Sequence, residues 1–339
     1  MTALVLDGLG GDHIRKDGPG ALSDFLQKIP SLRVLVATDQ QGWRLILEAC
    51  GPAASRLEWL PAEGAIAFRE KPLAALRARS GSSIQVAFAA LRDLRAEALI
   101  SFGHTGATVA AAQLGIGRHP GIRRPGLAAL LPNRRGQTLL MDVGATTKCT
   151  PQNLLQFGTL AAQCCRESLG IANPRIGLLN VGEEEGKGDR VLVQAFELMH
   201  KDLDGFVGNV EGYQIFDGTV DAVVCGGLTG NIVLKAAESL ADMLFETFKE
   251  NVVRSPSLLG SSLWQLLEHQ QPGARRGAHT RGACRLLGVN GVVMIGHGAA
   301  RTEAICDGLK SAAAELTGGL QSGAGGTLAA LDGSRVARP

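Results

Sequence analysis

The chain has 339 residues, of which 45% are hydrophobic but only 4% aromatic, and its formal net charge is +2. A chain of this length can bury a large core, and this composition requires that core to be built mainly from Ala, Leu, Val and Ile. The small net charge, without basic runs that carry interleaved aromatic residues, argues against nucleic-acid binding.

Short apolar runs alternate with amphipathic stretches along the chain. In chain order, the predicted strands are 3–7, 33–39, 97–101, 138–144, 175–182, 221–225 and 291–296. The predicted helices lie near 19–28, 41–49, 83–95, 105–114, 153–169, 188–201 and 229–250. This alternation predicts an α/β fold with a mostly parallel sheet and helices on both faces. The strands are apolar throughout, as expected of strands that are covered on both faces.

Cysteine usage and the chain ends indicate the compartment. The seven cysteines form no CxxC pair and are typical of buried small hydrophobes in a reducing environment, not of disulfides or a zinc site. The first residues turn into a strand without the regions of a signal peptide, and no segment offers eighteen uninterrupted apolar residues. We therefore expect a cytoplasmic protein. The Gly-, Ser- and Ala-rich composition from Thr317 onward predicts a disordered tail over 317–339.

Polar, glycine-containing loops follow five of the predicted strands. They are 7–13, 101–108, 142–148, 180–189 and 225–231. Because ligands bind beyond the carboxyl ends of strands in such sheets, we expect these loops to share one edge and to form a ligand site. Any one of them alone could be an ordinary turn between a strand and a helix. Backbone N–H groups at a helix start favour an anion, so Thr229, Gly230 and Asn231 are predicted to form part of a phosphate cradle.

Familiar nucleotide motifs fit these loops badly. The stretch "GLGGDH" lacks the third glycine of a dinucleotide-binding loop. The stretch "GEEEGKG" has the wrong spacing for a Walker A loop and no Ser or Thr after its Lys. Its three glutamates would also repel the phosphates of a nucleotide. ATP and NAD are therefore disfavoured.

Several polar residues in these loops have both a functional and a structural interpretation. Lys187, flanked by glycines, could face a phosphate or a developing oxyanion, or it could be a solvated charge in a turn. His104 lies between glycines at the end of a predicted strand and could be a catalytic group, a helix cap or an exposed side chain. Asp7, Asp12 and His13 crowd the first loop, where they could orient the cradle or cap a helix.

Ten motifs, taken in order, resemble the phosphate acyltransferases of bacterial phospholipid synthesis over roughly residues 3–315. They are "LDGLGGDH", "EKPLAALRARSGSSIQVA", "GHTGA", "GIRRPGLAALLP", "LLMDVGA", "LLQFGTLAA", "PRIGLLNVGEEEGKG", "GNVEG", "VVCGGLTGNIVLK" and "RLLGVNGVVMIGHG". The resemblance implies transfer of the acyl group of acyl-[acyl carrier protein] to inorganic phosphate, without metal or cofactor. It also implies a homodimer and a three-layer α/β/α sandwich related to phosphotransacetylases and isopropylmalate dehydrogenases. The expected organisation is one catalytic domain over 1–316 with a helical excursion at about 250–283.

The resemblance also implies the site residues. Lys187 and Asn231 are the expected catalytic pair, which would stabilise the oxyanion, and His104 is the candidate proton donor. With His13 of the first loop, the expected substrate and phosphate pocket comprises Asp7, Gly10, Gly11, Asp12, Ser82, Ser83, Thr105, Gly106, Asn209, Glu211, Thr229 and Gly230. The chain departs from the family pattern at His104, Thr146, Gly226, Ala299 and Ala300.

Two other functions stay open at this point. A decarboxylating hydroxyacid dehydrogenase is suggested by "GDHIRKDGP" and by the related fold. It would need NAD and carboxylates for a divalent metal, for which only Asp217 and Asp221 are even loosely spaced. A catalytically altered paralogue that binds carrier protein or lipid is suggested by the departures from the family pattern.

Two helical segments predict contacts outside the chain. The helix predicted over 229–250 is apolar around much of its circumference, which favours a second subunit covering it. In the segment 255–281, leucines repeat at helical spacing beside Trp264, and arginines follow. This pattern predicts an interfacial helix that docks reversibly on an anionic membrane. The alternative is that the same stripe packs on the partner subunit.

Overall fold

A computed structural model describes residues 2–254 and 282–318, which form one sheet flanked by helices. The strands are β1 (Ala3–Asp7), β2 (Arg33–Thr38), β3 (Leu57–Pro61), β4 (Ala98–Ser101), β5 (Gly126–Asn133), β6 (Gly136–Met141), β7 (Ile176–Leu179), β8 (Phe206–Val210), β9 (Ala222–Val224), β10 (Ala283–Leu287) and β11 (Val292–Gly296). The helices are α1 (Ile14–Lys28), α2 (Gln40–Cys50), α3 (Pro72–Ala78), α4 (Ser83–Arg92), α5 (Thr105–Gly115), α6 (Pro151–Leu169), α7 (Arg190–Asp202), α8 (Gln214–Asp217), α9 (Gly227–Arg254) and α10 (Thr302–Gly318). A 3-10 helix spans Gly51–Arg56.

The sheet consists of two parallel blocks that run in opposite directions. Its strand order is β3-β2-β1-β4-β11-β10-β5-β6-β9-β7-β8. The first parallel block is β3, β2, β1, β4 and β11. The second parallel block is β6, β9, β7 and β8. Between them, β10 is antiparallel to β11 and to β5, and β5 is antiparallel to β6, so three reversals separate the blocks.

Apolar side chains alternate between the two faces of the sheet. In β1, Val5 belongs to a core cluster that also includes residues of α4 and α5, whereas Leu4 and Leu6 belong to a cluster with residues of α1 and α10. In the second block, the face opposite the first cluster packs against α6 and α7. Strands that bury both faces need helices on each side, so the three-layer α/β/α sandwich expected from the sequence is confirmed.

The apolar pattern predicts seven of the described strands but not β3, β5, β8 or β10. It also misses α3, α8 and α10. The predicted helix at 229–250 begins two residues earlier, at Gly227, and continues to Arg254. Most of the predicted helical excursion at about 250–283 falls within residues 255–281, which lie outside the described residues. Residues 317 and 318 of the predicted tail belong to α10, and the remainder of that tail also lies outside the described residues.

The cysteines and the long helices bear on the expected environment. All seven thiols are free, and all except the half-buried Cys149 are buried, as the sequence predicts. Burial raises the pKa of Cys165 to about 12 and that of Cys50 to about 11. None of the helices within 2–254 and 282–318 combines the length and apolar character that a bilayer crossing requires.

Candidate functional site

The five glycine-containing loops lie at two opposite edges of the sheet. The loops 7–13 and 101–108 follow the adjacent strands β1 and β4 of the first block, and we call them the first-edge group. The loops 142–148, 180–189 and 225–231 follow β6, β7 and β9 of the second block, and we call them the second-edge group. Because the blocks run in opposite directions, their carboxyl ends point to opposite edges. The expectation that all five loops share one edge is therefore wrong.

Asp7 lies at the centre of the first-edge group. Its Oδ2 atom accepts a 2.7 Å hydrogen bond from the Ser101 hydroxyl, and its Oδ1 atom accepts a 3.2 Å hydrogen bond from the Gly10 backbone N–H. The buried Ser83 hydroxyl lies beside the same carboxyl. Burial raises the pKa of Asp7, although the hydrogen bonds from Ser101 and from the Gly10 backbone N–H oppose the shift.

The glycines of the first-edge group are required by close packing. A Cβ atom built on Gly10 would lie 2.3 Å from Asp7 Oδ2 and 3.0 Å from the Cα atom of Gly103. Gly11 has a φ of +114°, and a Cβ atom there would lie 2.9 Å from the Phe102 carbonyl oxygen. These glycines therefore bring two loops into backbone contact, which explains them without a ligand.

His104 caps helix α5. Its Nδ1 atom accepts a 3.1 Å hydrogen bond from the Gly106 backbone N–H, so the neutral ring carries its proton on Nε2. The ring stacks on Phe68 with 6.0 Å between the ring centroids. This cap occupies the Gly106 backbone N–H, so that group does not face a ligand. Thr105, the other predicted site residue of this turn, is the first residue of α5. His104 is at the opposite edge of the sheet from the loops that carry Lys187 and Asn231.

A shallow pocket opens between these elements at the first edge. It is lined by Asp7, Gly10, Ala65, Ile66, Ile84, Gly103, His104, Ala107 and Thr108. Three other predicted site residues lie nearby in the sequence or at this edge. The Ser82 hydroxyl donates to Gln85 Oε1, and the Asp12 backbone N–H donates to the Gly298 carbonyl. His13 is the N-cap residue of α1, but its side chain makes no cap hydrogen bond.

Asp142 organises the second-edge group, and sequence reasoning missed it. Its carboxylate accepts four backbone N–H groups, from Leu127 (2.8 Å), Gly144 (3.1 Å), Ala145 (2.9 Å) and Thr146 (2.7 Å). Burial raises the pKa of Asp142, and these hydrogen bonds oppose the shift. The carboxylate thereby fixes the loop 142–148 and ties it to β5. The available signal was an acidic residue placed directly after an apolar strand in "LLMDVG".

The predicted cradle residues belong to the first turn of α9. The Gly227 N–H donates to the Thr146 carbonyl, and the Gly230 N–H donates to the Gly226 carbonyl. Thr229 is exposed at this turn. The Asn231 side chain lies over Gly144, where a Cβ atom built on the glycine would be 3.8 Å from Asn231 Oδ1.

Two departures from the family pattern act here through backbone atoms. Thr146 and Gly226 each supply the carbonyl that accepts one of the two hydrogen bonds at the start of α9. A backbone carbonyl is present whatever the side chain is. These two hydrogen bonds therefore do not require a particular side chain at position 146 or 226.

Lys187 lies on a loop whose backbone is hydrogen-bonded by the side chains of two asparagines. Asn180 Nδ2 donates to the Lys187 carbonyl (2.9 Å) and to Asn209 Oδ1 (3.1 Å), and Asn209 Nδ2 donates to the Glu184 carbonyl (2.9 Å). The Lys187 side chain is 49% exposed, and its Nζ atom is 3.7 Å from Glu184 Oε2. Asn209 therefore supports the loop through hydrogen bonds to its backbone. Glu211, which follows β8, donates its own backbone N–H to Gln214 Oε1.

The carboxylates that a dehydrogenase would need have protein partners. Arg175 donates to Asp221 from its backbone N–H, Nε and Nη2 at 2.8, 3.0 and 2.9 Å. Asp217 accepts from the backbone N–H and the hydroxyl of Thr219 at 2.7 and 2.6 Å. Asp221 precedes β9, so it lies at the end of that strand away from Asn231. In the part of the chain that the structure describes, no cluster of three His, Cys, Asp or Glu side chains is arranged to hold a metal ion.

Comparisons with known proteins assign the family. The family described as "Fatty acid synthesis protein" matches residues 2–321. A phosphate acyltransferase from Heliobacterium modesticaldum is 38% identical over 309 residues, which cover 91% of this chain and 92% of that protein. One from Pelotomaculum thermopropionicum is 39% identical over 91% of this chain and 90% of that protein.

The fold is also shared with solved structures. A phosphotransacetylase from Streptococcus pyogenes superposes with a TM-score of 0.62 at 16% identity, over 93% of this chain and 94% of that one. At 16% sequence identity, this structural similarity shows the fold alone. The two phosphate acyltransferases are 38% and 39% identical over 91% of this chain. The chain therefore belongs to the phosphate acyltransferase family.

Proposed function

We propose that this chain transfers the acyl group of an acyl carrier protein thioester to inorganic phosphate, giving acyl phosphate and free carrier protein. As a member of its family, the chain is an acyltransferase. The observation that carries the proposal is that Lys187 and Asn231 follow the neighbouring strands β7 and β9 at one edge of the sheet. The family's description in fatty acid synthesis supports a carrier-bound acyl group as the donor.

The reaction needs positioning and charge stabilisation more than it needs a strong base. A phosphate dianion is already nucleophilic at neutral pH, so its oxygen can attack the thioester carbonyl carbon once both are held together. The C–O bond forms, the carbonyl oxygen becomes an oxyanion, and the C–S bond then breaks to release the pantetheine thiolate. Preorganised donors aimed at that oxyanion lower the barrier.

We assign these tasks to the second-edge group. Lys187 is an exposed cation on a braced loop, and Asn231 presents an amide beside the backbone of Gly144. Together they would stabilise the oxyanion. Thr229 and the positive end of the 28-residue helix α9 would receive the phosphate. His104 and the first-edge pocket lie at the other edge, and their predicted roles in proton donation and substrate binding stay predictions.

We also propose that the protein acts in the cytoplasm as a single-domain homodimer. Support for the dimer comes from α9, where Leu240, Met243 and Leu244 are between 54% and 57% exposed and share one stripe of the helix. Such a stripe favours cover by a second copy. The predicted membrane-docking segment 255–281 lies outside the described residues, and reversible contact with the inner face of the membrane stays a prediction.

The test is acyl phosphate formation by the purified chain. An acyl carrier thioester with phosphate should yield acyl phosphate, and replacing phosphate with chloride should stop thioester loss. Lys187→Ala and Asn231→Ala should each lower kcat by about 10²–10³, the usual effect of deleting an oxyanion donor. Lys201→Ala, which removes an exposed lysine from the last turn of α7, is the matched control and should keep the full rate. Thioester loss that does not depend on phosphate contradicts the proposal.

A further inference from the structure

A loop beside the second-edge group carries three exposed arginines and is held by side-chain hydrogen bonds. We call residues 116–125, which connect α5 to β5, the arginine loop; Arg118, Arg123 and Arg124 are exposed on it. The Arg118 guanidinium donates to the Arg123 carbonyl. From α6, Gln156 accepts from the Arg123 backbone N–H at 3.0 Å and donates to the Gly121 carbonyl at 2.8 Å. These bonds fix the backbone of the loop while the side chains of Arg123 and Arg124 extend outward.

The arginine loop lies next to the loop 142–148. Because β5 is antiparallel to β6, the start of β5 and the end of β6 share one edge. The Leu127 N–H, at the start of β5, donates to Asp142, the carboxylate that also organises the neighbouring loop. That loop carries the exposed Lys148. Four basic side chains therefore lie on the β5–β6 side of the second-edge group, which is separated from the Lys187 loop by β9.

These four charges are not neutralised within the described chain. The ion pairs of residues 2–254 and 282–318 include Arg15, Arg33, Arg79, Arg92 and Arg95 of the first half. None of the ion pairs described involves Arg118, Arg123, Arg124 or Lys148. The opposite end of the same edge is acidic, with exposed Glu183, Glu184 and Glu185 after β7. The edge thus carries positive charge beside β5 and β6 and negative charge beside β7.

We propose that the arginine loop and Lys148 form the docking surface for an acidic protein, which on the proposed function is the acyl carrier. Complementary surface charge steers association and fixes orientation. The basic end would attract an acidic partner, while the glutamates beside β7 would repel it. The partner is thereby held to one side of Lys187 and Asn231, where its thioester arm enters the site from the β5 side. This inference rests on the proposed function only for the identity of the partner.

A direct binding experiment tests the surface without relying on turnover. Fluorescently labelled holo-acyl carrier protein is titrated with the full chain, and its anisotropy is followed. Arg123→Glu with Arg124→Glu should weaken binding by roughly tenfold or more, and the native affinity should fall steeply with added salt. The matched control is Arg134→Glu with Arg135→Glu, an exposed pair in the β5–β6 turn at the other edge, which should bind normally. Equal affinity for all three proteins overturns the proposal, as does equal weakening by both pairs.

Kinetics then separates docking from chemistry. With the carrier thioester, Arg123→Glu with Arg124→Glu should raise KM by roughly tenfold and leave kcat unchanged. With an uncharged N-acetylcysteamine thioester, the same variant should match the native chain. Equal losses with both thioesters overturn the docking role. If neither thioester yields acyl phosphate, the proposed function fails, while the anisotropy titration still decides the docking surface. If the variant loses binding to anionic vesicles but keeps its carrier affinity, the loop is a membrane contact and the proposal is wrong.

Discussion

A Cβ atom built on Gly230 would stand 1.9 Å from the carbonyl oxygen of Asp142. The first turn of α9 therefore rests directly on the backbone of the loop 142–148. We expect Gly230→Ala to push this turn outward, to destabilise the fold by about 1–3 kcal/mol as overpacking does, and to lower turnover because Asn231 moves with the turn. Gly226→Ala is the control: its nearest neighbour would be Cys149 Sγ at 3.8 Å. Thermal unfolding and acyl phosphate assays of both variants check this, and normal behaviour of Gly230→Ala would contradict it.

Removal of Asn209 should release the loop that carries Lys187. Asn209→Ala deletes the donor to the Glu184 carbonyl and the acceptor for Asn180, so we expect lower kcat together with a loss of about 1–3 kcal/mol in unfolding free energy. Asn133→Ala removes bonds to Thr138 and Arg135 at the other edge, and it should cost stability without the loss of kcat. Equal kcat values for the two variants would show that the support of this loop does not matter for turnover.

The Arg175–Asp221 pair should make stability depend on pH in a defined window. Hydrogen bonds from Arg175 hold the pKa of Asp221 below its ordinary value of 3.8. The stabilisation is therefore present above pH 3.8 and is lost as the pH falls through the lower pKa of the folded state. We expect Asp221→Asn to lower the unfolding free energy by about 1–2 kcal/mol at pH 7. Urea unfolding at pH 7, 5 and 3 measures this, and a difference from the native chain that stays constant across these pH values would refute it.

Charges on the exposed stripe of α9 should separate the proposed dimer. Leu240→Glu with Met243→Glu places two carboxylates where a second copy would bury apolar surface, so the double variant should be monomeric. Leu114→Glu, which changes an exposed leucine in α5, should leave the dimer intact. Light scattering at micromolar concentration gives the masses. A monomeric native chain would show that the stripe has another role.

Hydrophobic runs indicated the layers of this fold but not the direction of its strands. The reversals come from β5 and β10, which the apolar pattern did not predict; β5 ends in Pro132 and Asn133, and Arg285 interrupts β10. The β5–β6 turn uses Arg134 and Arg135, without the Asn-Gly or Asp-Gly signal of a tight hairpin. Because the sequence did not reveal these reversals, we expected the five glycine-containing loops at one edge of the sheet, whereas they lie at two. Lys187 and Asn231 were predicted from motifs, and such a prediction does not depend on strand direction because a motif is local.

Asp142 shows what the sequence left out of the site. Its importance comes from four backbone donors, one of which belongs to Leu127 in another strand. No side-chain pattern records such bonds. By contrast, the His104 cap joins residues two positions apart, and a cap was among the interpretations that the sequence allowed.

One core cluster contains residues from every described strand, on both sides of the reversals. The two parallel blocks therefore share one hydrophobic core. Unfolding of either block would expose apolar side chains that pack against the other block. Trp43 and Trp59 stack with 6.1 Å between their ring centroids beside the first block, so their fluorescence senses that half directly. Circular dichroism senses all the helices. Because the two blocks share this core, we expect both signals to change at the same temperature.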